Sequence, residues 1–365
     1  MNIIYVARID EDYSLDLGVA KKINGQISAL EALYCNVDYL RIKNKKIMLN
    51  DIELKEIKYR RLAYRHLYNS IKRINNQFDA AYLRYVRADY FFLKTIKLLY
   101  KRGVKVIVEI PTYPYITEIN KKTVRGILEI FIDNIITRLL KKYVFKISTT
   151  SKYEEIFGIE TIKINNGIDM NSFPLKNKSN HDTTKVIKLI GIGNLARWHG
   201  YDRIIKGMFE YYKENVDINI EFYIVGEGNE KVNLEKLTHD LNMQKYVHFL
   251  GVKTGTELDN IFDEMDIGVS SLALFRAGGG HDPIKSKEFL ARGIPIILAY
   301  QDLLIDMSLP YVFFEEESNS PIDMKKIIEK YKKVRTIDSE EIRNYSIKNL
   351  SWENQMKKVI KVLER

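Results

Sequence analysis

The sequence predicts an α/β protein built from two Rossmann-like, doubly wound parallel sheets. Three observations carry this prediction: a length of 365 residues, apolar strand-like runs alternating with helical patterns in both halves, and a polar interruption between the halves. A chain this long exceeds what one core usually fills, so two domains of ordinary size are expected. Hydrophobic content of 45% with 29% charged residues is globular composition without the bias of disorder.

In the first half the strands are expected at Ile3–Ala7, Ala81–Arg84, Val104–Ile110, Phe145–Thr149 and Lys163–Asn165, with long helical patterns filling the gaps. In the second half they are expected at Ile187–Ile190, Ile218–Val225, Val247–Leu250, Ile267–Ser270 and Ile294–Leu298. Continuous apolar strands of this kind need helices on both faces. Pro174–Lys185, PLKNKSNHDTTK, is polar and reads as a linker between domains over 1–173 and 186–350. In 351–365, Trp352, Met356, Val359, Ile360 and Leu363 fall on one face of a final helix.

Cys35 is the sole cysteine, so no intramolecular disulfide is possible and nothing points to an oxidising compartment. Arg8, Asp10, Glu11 and Asp12 come too early for a signal-peptide apolar stretch, and no run approaches the ~18 apolar residues of a membrane span. A cytoplasmic protein is expected.

The net charge of +10 is unevenly spread: residues 1–180 hold 32 Lys and Arg against 19 Asp and Glu, whereas the rest hold 26 against 29. A basic half suggests nucleic acid, an acidic membrane surface or a phosphate-bearing substrate, although a soluble basic surface is the plainer account. From Lys55 to Arg73 a helical pattern sets Lys58, Arg61, Arg65 and Lys72 on one side and Ala63, Leu67, Ile71 and Ile74 on another, with Tyr59, Tyr64 and Tyr68 interleaved. Such a helix can hold a peripheral protein to the anionic inner face of the plasma membrane, and a packed helix with a solvated basic face has the same pattern. There is no helix-turn-helix, RRM or zinc-finger signature, so no nucleic acid is expected.

Two segments carry chemistry. Gly191 to Ala196 follows a strand and matches G-x-G-x-x-A, the dinucleotide fingerprint. An NAD site should offer an acidic residue about 20 positions on, whereas the next strand ends in Gly226-Glu227-Gly228, roughly 30 on. An NAD-dependent oxidoreductase using Gly191–Ala196 is the alternative reading, and a basic nucleic-acid-binding protein is another. In the second segment, three glycines up to Gly280 allow close backbone approach, and Pro283 suits the first turn of a helix whose free N–H groups can receive phosphate oxygens. Lys285 and Glu288 stand i,i+3 and share a face, so Lys285 can meet a diphosphate while Glu288 accepts from ribose hydroxyls. A flexible glycine loop with an ordinary surface pair is the plain alternative. The six histidines are scattered and the Asp10-Glu11-Asp12 run reads as a solvated loop, so no metal and no cofactor are expected.

Ala196-Arg197-Trp198-His199-Gly200-Tyr201-Asp202-Arg203 resembles the first donor-domain motif of retaining glycosyltransferase family 4, in the variant of transferases that build bacterial surface polysaccharides. Leu272 to Ile297 is similar to the family's E-x7-E region, with Glu288 as the second Glu and Gly280 at the first. Val225–Asn229, Phe249–Val252, Gly18–Lys22 and Ile164–Asp169 resemble further family turns, in order along nearly the whole chain. The resemblance implies a GT-B architecture, two domains facing a cleft, with the final helix returning toward the first domain. It implies a retaining, hexosyltransferase-type transfer from a nucleotide diphosphate sugar to a glycan or polyprenyl-diphosphate-linked acceptor, in capsule or other surface polysaccharide biosynthesis.

Residue by residue, it implies catalytic roles for Arg197, Lys285 and Glu288. Donor contacts fall to Gly18, Gly193, Asn194, His199, Gly226, Gly251 and Val252, and to Gly280, His281, Asp282, Pro283 and Ile284. The acceptor side falls to Glu109, Thr112 and Tyr113. Where the family commonly has an Arg and a Lys on the donor diphosphate, this chain has Asn194 and His199, so Arg197 on the same loop is expected to supply charge. No catalytic histidine is carried over.

Overall fold

The computed structural model describes residues 1–10, 17–57, 62–86, 89–111, 113–114, 124–177, 181–214, 216–277 and 283–365. Two units result, residues 1–167 together with 352–365, and residues 168–351.

The first unit runs β1 (Asn2–Asp10), α1 (Leu17–Ala32), β2 (Asn36–Lys43), β3 (Lys46–Leu49), β4 (Ile52–Glu56), α2 (Ala63–Arg73), β5 (Ala80–Arg84), α3 (Tyr90–Lys101), β6 (Lys105–Glu109), α4 (Val124–Leu140), β7 (Lys146–Thr149), β8 (Glu155–Ile156) and β9 (Ile159–Lys163). Its described strands order as β4-β3-β2-β1-β5-β6-β7-β9-β8, parallel from β2 through β9. Ile3 to Ala7 are all buried because β1 is central and covered on both faces. Ile4 and Val6 face α2, α3 and α4, while Ile3, Tyr5 and Ala7 face α1.

The span between the first two expected strands is not all helix, because residues 36–56 hold an antiparallel meander. Asn44 and Lys45, at φ 48° and 60°, form the two-residue link from β2 to β3, a left-handed pair that suits a hairpin. β4 is exposed along its whole length and carries Glu53, Lys55 and Glu56, as suits a sheet edge that must not recruit another strand. This corrects the basic helix expected over 55–73. Lys55 lies in β4, Lys58 and Arg61 lie outside the described residues, and α2 begins at Ala63 with Arg65 and Lys72 exposed.

The second unit runs β10 (Val186–Ile192), α5 (Tyr201–Tyr212), β11 (Asn219–Val225), α6 (Lys231–Asp240), β12 (Val247–Gly251), α7 (Gly255–Asp263), β13 (Ile267–Val269), α8 (Lys285–Ala291), β14 (Ile296–Leu298), β15 (Val312–Phe314), α9 (Met324–Val334) and α10 (Ser339–Asn349). The described strands order as β12-β11-β10-β13-β14-β15, all parallel. The three-residue β15 was not expected. Among the described residues, no helix is long and apolar enough to cross a membrane.

The crossing between units falls earlier than the polar stretch 174–185. Lys176 N–H donates to the Arg292 carbonyl at 3.0 Å, and Asn177 donates from its backbone and side chain to Asp263 at 2.8 and 2.7 Å. The start of this stretch is thus strapped to the second unit. Ile168 bridges in parallel to Ser351, so the two crossings leave that unit side by side.

The final helix, α11 (Trp352–Leu363), belongs to the first unit, where Trp352, Met356, Val359 and Leu363 join the α1 face of the core. Trp352 is buried between two glycines. A Cβ on Gly25 would lie 2.5 Å from Trp352 Cδ1, and one on Gly167 would lie 2.7 Å from Trp352 N. Alanine in place of a helix-interior glycine ordinarily stabilises by about 0.5–1 kcal/mol. Here the indole occupies the space, so Gly25→Ala should instead lower the unfolding free energy by about 1–3 kcal/mol in urea titration. A gain in stability would show that α11 packs more loosely than described.

Candidate functional site

In an open parallel sheet, ligands bind beyond the carboxyl ends of the strands. At that edge of the second unit Gly193 and Gly226 directly follow β10 and β11, and Gly251 is the last residue of β12. Hydrogen bonding continues past the strands, with Gly193 N–H to the Val225 carbonyl at 2.9 Å and Gly226 N–H to the Gly251 carbonyl at 2.7 Å. Gly226 holds φ at 132°, and a Cβ there would sit 1.9 Å from the Gly193 oxygen. Only glycine permits this approach.

A cavity of about 380 Å³ opens beside these turns. Ile192, Val225, Val252 and Leu258 make its apolar lining, next to the backbone of Gly193 and Gly226. A larger cavity of about 660 Å³ lies in the first unit, lined by Tyr100, Lys101, Lys105, Lys142 and Phe145. It sits at the amino ends of β6 and β7, the end where such sheets seldom bind ligands.

His199 ends a short 3-10 turn, Arg197–His199, and is buried. Its Nδ1 accepts the Ala196 N–H at 3.2 Å, its ring stacks on Tyr201 at 5.3 Å, and its Nε2 meets Lys285 Nζ. Lys285 Nζ also lies over Gly193, where a Cβ would come within 2.6 Å of it. Burial pushes the Lys285 amine down to about 7, against the opposing pull of Glu288. Burial, and then Lys285, hold His199 at about 3, so its ring is neutral.

The structure therefore brings Gly193, His199 and Lys285 into contact, with Gly226 against Gly193, Val252 on the cavity wall and Gly251 at the end of β12. Glu288 lies one turn along α8 from Lys285. Asn194 and Arg197 are exposed on the loop after β10. Pro283 falls before the helix, not in its first turn, because Ile284 is the N-cap and α8 begins at Lys285. Gly280, His281 and Asp282 lie outside the described residues.

In the first unit Gly18 is the second residue of α1, and Thr112 lies outside the described residues. Tyr113 packs edge-on against Tyr153 and Phe157. Glu109 ends β6 as expected, but it is not open to a ligand. It is buried, with Oε1 bound by Arg84 at 2.6 Å and Gln26 at 3.0 Å and Oε2 approached by the Tyr5 hydroxyl at 3.4 Å. A buried carboxylate needs such partners, and here they come from β5, α1 and β1.

Several residues that hold this edge together were not singled out from sequence. Arg203 is buried and donates to the carbonyls of Leu272, Ser320 and Glu316 and to Ser318 Oγ. Arg276 grips Asp202 through both oxygens at 2.8 and 3.3 Å and donates to the Arg197 carbonyl at 3.1 Å. Burial raises the Asp202 carboxyl, but Arg276 and Lys206 outweigh it and leave it below its ordinary value. Lys287, two residues from Lys285, turns inward to Asp302 at 3.3 Å with both side chains buried. The alternation Lys-Ser-Lys, which points successive residues of a helix in different directions, was the one available signal.

Residues 173–349 match the family model of glycosyl transferases group 1. Over 292 residues the chain is 25% identical to MJ1069, an uncharacterized glycosyltransferase of Methanocaldococcus jannaschii, covering 76% of this chain and 63% of that protein. The chain thus spans less than two thirds of that relative's length. Among solved structures it is similar to a glycosyltransferase from Rickettsia africae ESF-5, with a TM-score of 0.63 and 13% identity over 100% of this chain and 97% of that one. It is also similar to Anabaena Alr3699/HepE in complex with UDP, with a TM-score of 0.59 and 12% identity over 100% of each chain. The two parallel-sheet units are those of the GT-B fold, and the second unit, which carries the glycine edge and Lys285, is similar to the glycosyl transferases group 1.

Proposed function

We propose that this protein is a glycosyltransferase that uses a nucleotide diphosphate sugar and retains the anomeric configuration of the sugar it transfers. One observation carries this reading: Lys285 stands over Gly193 beside the apolar cavity, so a cation for a diphosphate adjoins a slot for a base. The family match over 173–349 supports it, as does the UDP held by Alr3699/HepE, a protein of the same fold. That match includes Gly191–Ala196, which leaves the NAD-dependent alternative without favour.

In this reading Lys285 offsets charge growing on the leaving diphosphate, with exposed Arg197 as a second cation, and Glu288 accepts from the ribose hydroxyls. The acceptor attacks the face that the diphosphate leaves, and a donor phosphate oxygen takes the acceptor proton. No pair of protein carboxylates and no metal ion is required, in contrast to glycosidases.

We further infer a peripheral place on the cytoplasmic face of the plasma membrane, acting on a glycan or polyprenyl-diphosphate-linked acceptor in capsule or other surface polysaccharide biosynthesis. The support differs from that expected at 55–73. The apolar side of α2 is buried, whereas α4 exposes Phe131, Ile132, Ile135 and Leu139 beside exposed Arg138, Lys141 and Lys142. Apolar anchors next to basic residues suit an anionic bilayer, at about 1 kcal/mol for each basic residue near its surface.

Three outcomes are expected. UDP-sugars or GDP-sugars, but not NAD, should stabilise the protein against heat, by about 2.7 kcal/mol at a hundredfold excess over Kd; stabilisation by NAD alone would overturn the reading. Lys285→Ala should cut kcat about 10²–10³-fold, while Glu288→Gln should mainly weaken donor binding. Wild-type kinetics in both would remove the site. Phe131→Ser with Lys141→Gln and Lys142→Gln should abolish sedimentation with anionic liposomes, and wild-type binding should fade as salt rises. Equal sedimentation of variant and wild type would move the contact elsewhere.

A further inference from the structure

The imidazole of His199 is occupied at both nitrogens. Nδ1 accepts the Ala196 N–H, which a ring nitrogen can do only without a proton of its own. The proton of the neutral ring is then on Nε2, and Nε2 faces Lys285 Nζ. An ammonium has three donors and no acceptor, so Nε2–H against it would oppose donor to donor. A neutral amine has a lone pair and satisfies the contact.

The surroundings agree with this assignment. Gly193 closes on Nζ from the β10 side, and the Tyr201 ring backs the imidazole. Among the described residues, the charged or titratable groups bearing on Lys285 are Glu288 on its own helix and His199 on the facing turn. Glu288 favours the ammonium, but burial prevails and sets the amine at about 7. Moving the ring proton to Nδ1 would set it against the Ala196 N–H, and adding a second proton would make an imidazolium, which burial and then Lys285 disfavour down to about 3.

We propose that Lys285 rests as a neutral amine accepting a hydrogen bond from His199 Nε2–H, and that a diphosphate binds together with one proton from solvent. This rests on the nucleotide diphosphate reading above. The proton adds to the Nζ lone pair, no other bond is made or broken, and the new ammonium leaves His199 to donate to a phosphate oxygen. His199 is a positioning residue: it holds the amine neutral and aimed at the site until the anion arrives. Donor affinity then falls about tenfold for each pH unit above the free amine's midpoint, and becomes independent of pH below it.

Two measurements test this. In the ligand-free protein, competitive acetylation across pH, with Lys285 followed by mass spectrometry, should give a midpoint near 7, where an ordinary lysine titrates near 10.4. An ordinary midpoint would overturn the proposal. Calorimetry with UDP-glucose and GDP-mannose, whose diphosphate diesters do not titrate near neutrality, should show close to one proton taken up at about pH 8 and almost none at about pH 6 when buffers of different ionisation enthalpy are compared. His199→Gln, whose amide oxygen can accept from an ammonium, should lose most of the uptake per sugar nucleotide bound and move the acetylation midpoint upward. Binding without uptake in the wild type would overturn the proposal alone. No binding of either sugar nucleotide, with the midpoint still near 7, would overturn the nucleotide reading and the coupled uptake with it.

Discussion

Gly226 and Gly193 touch so closely that no side chain fits between them, and the edge of the second unit at the carboxyl ends of its strands is arranged around that approach. Because β10 and β11 end side by side at this point, the backbone of their turns is left uncovered toward the cavity. Lys285 meets Gly193 from the far side of β10, so the glycine that lets the turns meet also makes room for the amine. A larger residue at Gly226 would push on the Gly193 backbone, and one at Gly193 would push on the Lys285 amine.

α8 shows how burial divides charged residues of one type into different duties. Lys285 lies at the edge against the neutral imidazole of His199, and burial pushes its amine down to about 7. Lys287 is fully buried and paired with Asp302, where losing either partner would strand a charge in the core. Beneath the helix, Ser286 and Ser270 share the Tyr300 hydroxyl at 2.8 and 3.1 Å, so its inner face is fixed by polar contacts as well as by Phe289 and Leu290. A rigid inner face keeps the outer lysine in place.

How much of this was legible in the sequence depended on where each signal lies. Strands covered on both faces, such as β1 and β11, announce themselves as apolar runs, and Gly193 and Gly226 stand directly after β10 and β11. The meander escaped because its turns use Asn44-Lys45 and Asn50-Asp51 without glycine. Residues 174–185 resembled a linker because polar side chains look alike whether they meet water or, like Asn177, a neighbouring carboxylate. Glu109 resembled a ligand group for a similar reason: its register partner Arg84 and its donor Gln26 are distant in sequence, and only the sheet brings them together. Arg203 and Arg276 depend on loops near 316–320 that no local pattern connects to them.

The place of α11 has a consequence for the order in which the protein is made. The second unit is continuous in sequence from 168 to 351, so all its parts leave the ribosome together. The first unit is not, since the face of β1 formed by Ile3, Tyr5 and Ala7 is completed by Trp352, Met356 and Val359, which are translated after the whole second unit. Until α11 emerges, that part of the first core stays open to water and to other chains. Ile3, Tyr5 and Ala7 are thus fully enclosed only after the second unit has been made, and a nascent chain halted after that unit would carry an uncapped first one.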